Sequence, residues 1–201
     1  MAIDSKNNLL YVANTSLDLV SVLDLNTEKF VDDIYISRKN EKNELYRHHI
    51  NDLAFYNDML FVSMFSFSGM WKHGIYDGGV AMFCPKTKQL LGHAISDLWM
   101  PHSVDFINEE MVICDSMRSS VYKTNNKLLT KLRGFIRGIT HDGNYYFIAQ
   151  SEHRYYDRLK DLEYAIDINC GIHMFDEDTK ANRFHSFEEL GNIHSLVIMD
   201  K

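Results

Sequence analysis

Short apolar runs bounded by Asn, Asp, Gly and Lys recur along the chain. They read LLYVAN, LVSVLDL, INDLAF, MLFVSMF, VAMF, HSVDF, MVICD, SVYKT, GITHDG, YYFIAQ, IHMFD and HSLVI. Most have strand length and are separated by turn-forming residues, so the pattern predicts many short strands. Helical periodicity is scarce. The best helical candidate is DRLKDLEYAI, Asp157 to Ile166, inside a longer insertion.

The runs come in a repeating order. VLDLNTEKF from Val22, MFCPKTKQL from Met82 and MFDEDTKAN from Met174 share one plan: two apolar residues, a Cys or Asp, two variable residues, Thr, then Glu or Lys. A shorter version is VYKTNNKLL from Val121. Each reads as a hairpin whose Asp or Asn side chain bonds turn backbone. The segments before them also align: HINDLAFYNDMLFVSMF from His49, HSVDFINEEMVICDS from His102 and RGITHDGNYYFIAQS from Arg137. Each unit is therefore a four-stranded antiparallel meander, and repeated meanders of this kind point to an all-β, β-propeller fold.

The expected blades cover 46–98, 99–135 and 136–190, with a first blade made of 8–37 plus 192–199 in one single domain, 1–201. The N-terminal runs provide three strands and IHSLVI a fourth, so the C-terminal strand is expected to complete the N-terminal blade. Such closure pairs two otherwise open sheet edges. The count is four blades, or part of a larger propeller.

Composition supports this picture. The 201 residues are 45% hydrophobic, with 11 Tyr and 12 Phe but only 2 Pro, which suits pleated, half-buried surfaces. No apolar run reaches membrane-spanning length and no secretory leader is visible, so no membrane association is expected. A net charge of −7 with no basic block argues against nucleic-acid binding. The three cysteines, Cys84, Cys114 and Cys170, form no Cys-x-x-Cys pair. They read as buried thiols of a cytoplasmic protein, with no bound metal and no cofactor expected.

HHINDLAF, DGGVAMFCPKTKQLLGHAISDLWMPHSVDF, MVICDS, LRGFIRGITHDG, AQSEHR and CGIHMFD together resemble an uncharacterised bacterial β-propeller family, domain of unknown function 4915. The likeness runs from about Arg47 to the end. It implies the propeller fold and carries no established activity. Members of that family have additional blade material at the N-terminus, so the chain is either a short member or a piece of a larger ring.

Propeller geometry turns the repeat into a site expectation. The openers of the innermost strands are His49, His102, Arg137 and His194, expected to ring one mouth of a central channel, with Asn51 pointing the same way as His49. The loops on that face include two long ones, Ser66 to Gly79 and Ser151 to Gly171. Insertions on one face of a repeat fold mark its working side.

Histidines and an arginine around one axis suit either a divalent metal or an anion. They equally suit strands stapled by polar bonds. Asp115 follows a strand near His102 and could orient its ring. A Ser-His-Asp triad with Ser103 or Ser116 has no nucleophile elbow to support it. In SEHR, Arg154 is the residue chosen for carboxylate or phosphate recognition. Trp71, Tyr76, Tyr155 and Tyr156 would line a pocket or pack their loops, and Gly78 and Gly79 suit a turn better than a phosphate cradle. The ligand-binding set is thus His49, Asn51, His102, Asp115, Arg137, Arg154 and His194. The reading that follows is a module binding a small anionic or carbohydrate-like ligand, or a protein partner. The alternative is a metal-assisted lyase or hydrolase.

Overall fold

The computed structural model describes residues 1–36 and 48–199. They form four antiparallel four-stranded sheets, each a meander in sequence order. The first sheet contains β1 (Ala2–Asp4), β2 (Leu9–Asn14), β3 (Leu19–Asp24) and β4 (Lys29–Tyr35). The second contains β5 (Ile50–Tyr56), β6 (Met59–Met64), β7 (Gly78–Cys84) and β8 (Gln89–Leu98). The third contains β9 (Pro101–Ile107), β10 (Glu110–Asp115), β11 (Ser120–Lys123) and β12 (Lys127–Lys131). The fourth contains β13 (Phe135–His141), β14 (Tyr146–Ser151), β15 (Gly171–Phe175) and β16 (Asn182–Ser186).

The hairpins fold for the reason that the Asp and Thr positions suggest. Asp24 Oδ1 accepts from the backbone N–H of Asn26 and Thr27, at 2.7 and 3.2 Å. Asp176 Oδ1 accepts from Asp178 and Thr179, and its Oδ2 accepts from the Thr179 hydroxyl at 2.7 Å. In three hairpins the residue after Thr turns left-handed: Glu28 (φ 56°), Lys88 (φ 59°) and Lys180 (φ 62°). The repeated "Thr, then Glu or Lys" is thus a repeated turn conformation.

The chain divides into two compact units, Met1–Met100 and Pro101–Lys201, each holding two sheets. In the first, Tyr11, Val20, Val22, Ile50, Leu60 and Val62 form a buried core. Tyr11 stacks on Phe55 across it, with ring centroids 5.6 Å apart. In the second, Val112, Cys114, Val121, Ile136, Ile148 and Tyr146 are packed together. Lys123, itself buried, reaches Glu110 at 2.9 Å and Glu177 at 2.8 Å and so ties the third sheet to the fourth. Burial opposes its charge, yet its hydrogen bonds to Glu177 and Glu110 win and its pKa lies above the ordinary lysine value.

Three expectations are corrected. The innermost strand of the first sheet is Ala2–Asp4, which pairs Leu9 to Tyr11, and Asn192 to Met199 form no strand. The C-terminal segment therefore does not complete the first sheet, because the edge of β2 is already taken. Only three residues long, with Asp4 buried and Ile3 exposed, β1 lacks the apolar run that marks a strand. The Asp4 carboxylate is turned inward to accept from Lys6 and Asn7 N–H in the following turn. Second, Phe135 opens the fourth sheet rather than closing the third. Third, the helical candidate Asp157 to Ile166 yields only a 3-10 helix at Tyr156–Asp161. The expected edges of the first and second blades at Ser37 and Tyr46 lie outside the described residues.

Candidate functional site

Arg137 sits in a β-bulge near the start of β13. Ile136 pairs Gln150 and Ile139 pairs Ile148, so Arg137 and Gly138 together face Ala149 alone. A bulge of this kind re-aims a side chain out of the regular alternation. The strand β9 carries the same irregularity at Ser103 and Val104, between the pairs His102–Cys114 and Asp105–Val112. Arg137 thus corresponds in register to Ser103, and His102 to Ile136. The expected equivalence of the openers is off by one residue, because the turn from Asp142 to Tyr145 is two residues longer than Asn108–Glu109 and a gapless alignment splits that difference between the flanking strands.

Arg154 follows β14 and His194 lies on the C-terminal segment. Two sets of contacts hold that segment against the fourth sheet. The Ser151 hydroxyl donates to Ile193 O at 3.0 Å and accepts from Ile193 N–H at 3.1 Å, while Glu152 N–H donates to Gly191 O at 2.9 Å. Two residues on, the chain passes over Gly138 so closely that a Cβ there would lie 2.8 Å from Ser195 Cα. Glycine is required by this approach. His194 is therefore carried between an anchor on β14 and an anchor on the bulge of β13.

Two guanidinium groups and an imidazole from three chain segments thereby lie within reach of one another's charge. Burial, then the neighbouring charge of Arg154, pulls the Arg137 guanidinium down to about 10. It remains charged at neutral pH. Burial and the charges of Arg137 and Arg154 hold the His194 imidazole below its ordinary pKa. Among the described residues, neither guanidinium has a carboxylate within ion-pair distance. Arg137 Nε is buried with no hydrogen-bond partner among them. Arg137 is half-buried, whereas Arg154 and His194 are exposed. A buried Nε left without a partner is costly, and such groups mark functional sites.

His153 lies beside this cluster and is almost wholly buried, at 1% exposure. Its Nδ1 accepts from Tyr155 N–H at 3.0 Å, which places the proton on Nε2. That Nε2 is buried and has no partner among the described residues. Burial lowers its pKa to about 4, against a weak opposing pull from Asp157, so the ring is neutral. Phe135 packs edge-on against both His153 and His102, at 5.1 and 5.6 Å.

The remaining expected residues have local engagements. His102 Nδ1 bonds the Ser116 hydroxyl at 2.8 Å, in a buried position. Asp115 is gripped by Arg118, whose Nε and Nη2 each lie 2.5 Å from Oδ2. In the first unit, His49 has a left-handed backbone (φ 53°) and stacks on Phe65, with centroids 4.1 Å apart. Asn51 Oδ1 accepts from the Ser63 hydroxyl. Trp71 is buried in the long loop before β7, edge-on to Phe65. Gly79 is the second residue of β7, and a Cβ there would lie 2.1 Å from Ile95 O, so close backbone approach explains it. No group of three or more His, Cys, Asp or Glu residues positioned to hold a metal ion occurs among the described residues. No helix among them is long and apolar enough to cross a membrane.

Sequence reasoning did not single out two engagements. One is the pair between His48 Nδ1 and the buried carboxylate of Asp18, for which no spacing gave a signal. The other is Arg118, which the Asp-x-x-Arg spacing in DSMRSS would have offered.

Solved structures with the same fold come from unrelated sources. A nidogen/laminin complex aligns at 14% identity with a TM-score of 0.59, over 93% of this chain and 64% of that one. Hydrazine synthase of Kuenenia stuttgartiensis aligns at 12% identity and 0.63, over 95% and 54%. The computationally designed Ika8 protein aligns at 13% identity and 0.52, over 99% and 65%. The chain thus spans between about half and two thirds of the length of these structures. At such identities they speak for the fold alone, and they support the all-β propeller class. No curated protein matches the chain. Over residues 2–197 it matches the model of the domain of unknown function DUF4915, and it belongs to that family.

Proposed function

We propose that this protein is a binding module for a small anionic ligand, held by Arg137, Arg154 and His194. The observation that carries the reading is the uncompensated charge: two guanidinium groups near each other, with no carboxylate in ion-pair range among the described residues. Like charges repel, and although solvent screens the exposed Arg154, an anion between the two guanidinium groups would relieve what repulsion remains. The bulge that aims Arg137 and the two anchors that fix the C-terminal segment support a built arrangement. The three free cysteines, two of them buried, suit a cytoplasmic setting.

Thermal unfolding in the presence of a panel of small mono- and dianions tests this. A ligand that binds only the folded state raises the melting temperature, and the shift keeps growing with the logarithm of its concentration above Kd. The shift should disappear in Arg137→Ala and Arg154→Ala while the circular dichroism spectrum stays that of the parent. If no anion at millimolar concentration shifts the parent protein, the reading is wrong.

A further inference from the structure

We infer that the ligand of this site is a phosphoryl dianion, either free phosphate or a phosphate monoester; this rests on the anion-binding reading above. Three features select it. The first is charge. Arg137 and Arg154 bring two positive charges, and no carboxylate ion-pairs with either among the described residues. The nearby acids are otherwise placed: Glu152 Oε2 lies against Gly191, 3.2 Å from where a Cβ would stand, and Asp157 acts on His153. A dianion balances the pair, whereas a monocarboxylate leaves one charge unmatched.

The second is directional. The donors come from three separate segments: the bulge of β13, the loop after β14 and the C-terminal segment across Gly138. A carboxylate offers two oxygens in one plane, which a single guanidinium fork satisfies. A second arginine and a histidine approaching from other segments match the three outer oxygens of a tetrahedral phosphoryl group. The third is the buried, unpartnered Arg137 Nε, one arm of the fork that bidentate phosphate recognition uses. Beside these donors, Tyr155 and Phe135 give the cluster an aromatic flank against which the organic part of an ester would rest.

Calorimetric titration of the full chain at pH 7.5 with inorganic phosphate, glycerol 3-phosphate and succinate separates the possibilities. Phosphate or glycerol 3-phosphate should bind at one site, at least about tenfold more tightly than succinate. Arg137→Gln and Arg154→Gln should each weaken that binding by about tenfold or more. Tighter glycerol 3-phosphate assigns a monoester, and equal or tighter inorganic phosphate assigns the free ion. If succinate binds at these arginines and phosphate does not compete, the phosphoryl assignment fails and the anion reading survives. If phosphate binds the Gln variants as well as the parent, the contact is adventitious and the assignment also fails. If nothing binds, both fail. Arg137→Lys and Arg154→Lys keep the charge without the fork; retained folding with a partial loss of phosphate affinity guards against reading misfolding as lost binding.

Discussion

Lowering the pH from 7.5 to 5 should cost the fold about 2 kcal/mol through His173 alone. This ring is buried on β15, with its proton placement fixed by a chain of bonds. Gln150 Nε2 donates to Asn169 O at 2.7 Å, which turns Gln150 Oε1 toward His173. His173 Nε2–H donates to that oxygen at 2.9 Å, and Asn182 Nδ2 faces Nδ1 at 3.1 Å. A second proton, on Nδ1, would meet the Asn182 amide hydrogens and force that amide to turn round. Once turned, the Asn182 amide accepts from Nδ1–H and favours the proton, but burial outweighs it, and the folded pKa falls from 6.5 to about 4. The unfolded ring takes up its proton near 6.5, so below that pH the unfolded state holds more protons and stability declines. The decline continues until the folded ring also protonates near 4, and the full difference is about 3 kcal/mol. At pH 5 a little under two thirds of it has been lost. Urea unfolding of the parent and of His173→Phe at pH 7.5 and 5 measures this. The variant is less stable at both values, because Gln150 and Asn182 lose a partner. Its loss between the two should be smaller than the parent's by about 2 kcal/mol. Equal losses in the two proteins would refute the reasoning.

Other perturbations follow from the same geometry. Gly138→Ala places a Cβ against Ser195 and displaces the C-terminal segment; anion affinity should fall about tenfold while sheet content by circular dichroism is unchanged. Lys123→Met removes a cation shared by Glu110 and Glu177, both partly exposed, and should lower urea-unfolding stability by about 2 kcal/mol. Glu28→Gly relieves a left-handed backbone on an exposed turn and should raise the stability of the chain by roughly 1 kcal/mol in the same assay. No change for Glu28→Gly would mean that the turn carries no strain.

The fold was legible because its devices are local. Asp24, Asp176 and the Thr-Glu or Thr-Lys pairs wrote the same turn into several hairpins, and period-two alternation marked the strands between them. What stayed hidden depended on pairing across strands. The turn from Asp142 to Tyr145 is two residues longer than the turn Asn108–Glu109, so a gapless alignment pairs His102 with Arg137, whereas the strand register pairs His102 with Ile136. The strand Ala2–Asp4 is too short to carry a pattern, and the edge it fills was assigned to the C-terminus instead. Of the expected ligand set, Arg137, Arg154 and His194 lie on three segments that approach one another in the second unit. His49 and Asn51 make local contacts in the first unit. Asp115 found its counter-ion three residues away in Arg118. The burial of His153 left no trace in a segment as polar as SEHR.

The central claim is that His194 shares an anion with Arg137 and Arg154, and the imidazole resonances of His194 test it most directly. Sulfate keeps its two charges from pH 5 to 8, so an NMR titration with and without it isolates the effect on the ring. Without sulfate, His194 should titrate below 6.5, because burial and the two guanidinium charges oppose its proton. With sulfate bound, those charges are neutralised and the pKa should rise by about one unit, so that affinity tightens as pH falls. An unchanged His194 titration at saturating sulfate, or a value already at 6.5 without it, would contradict the account.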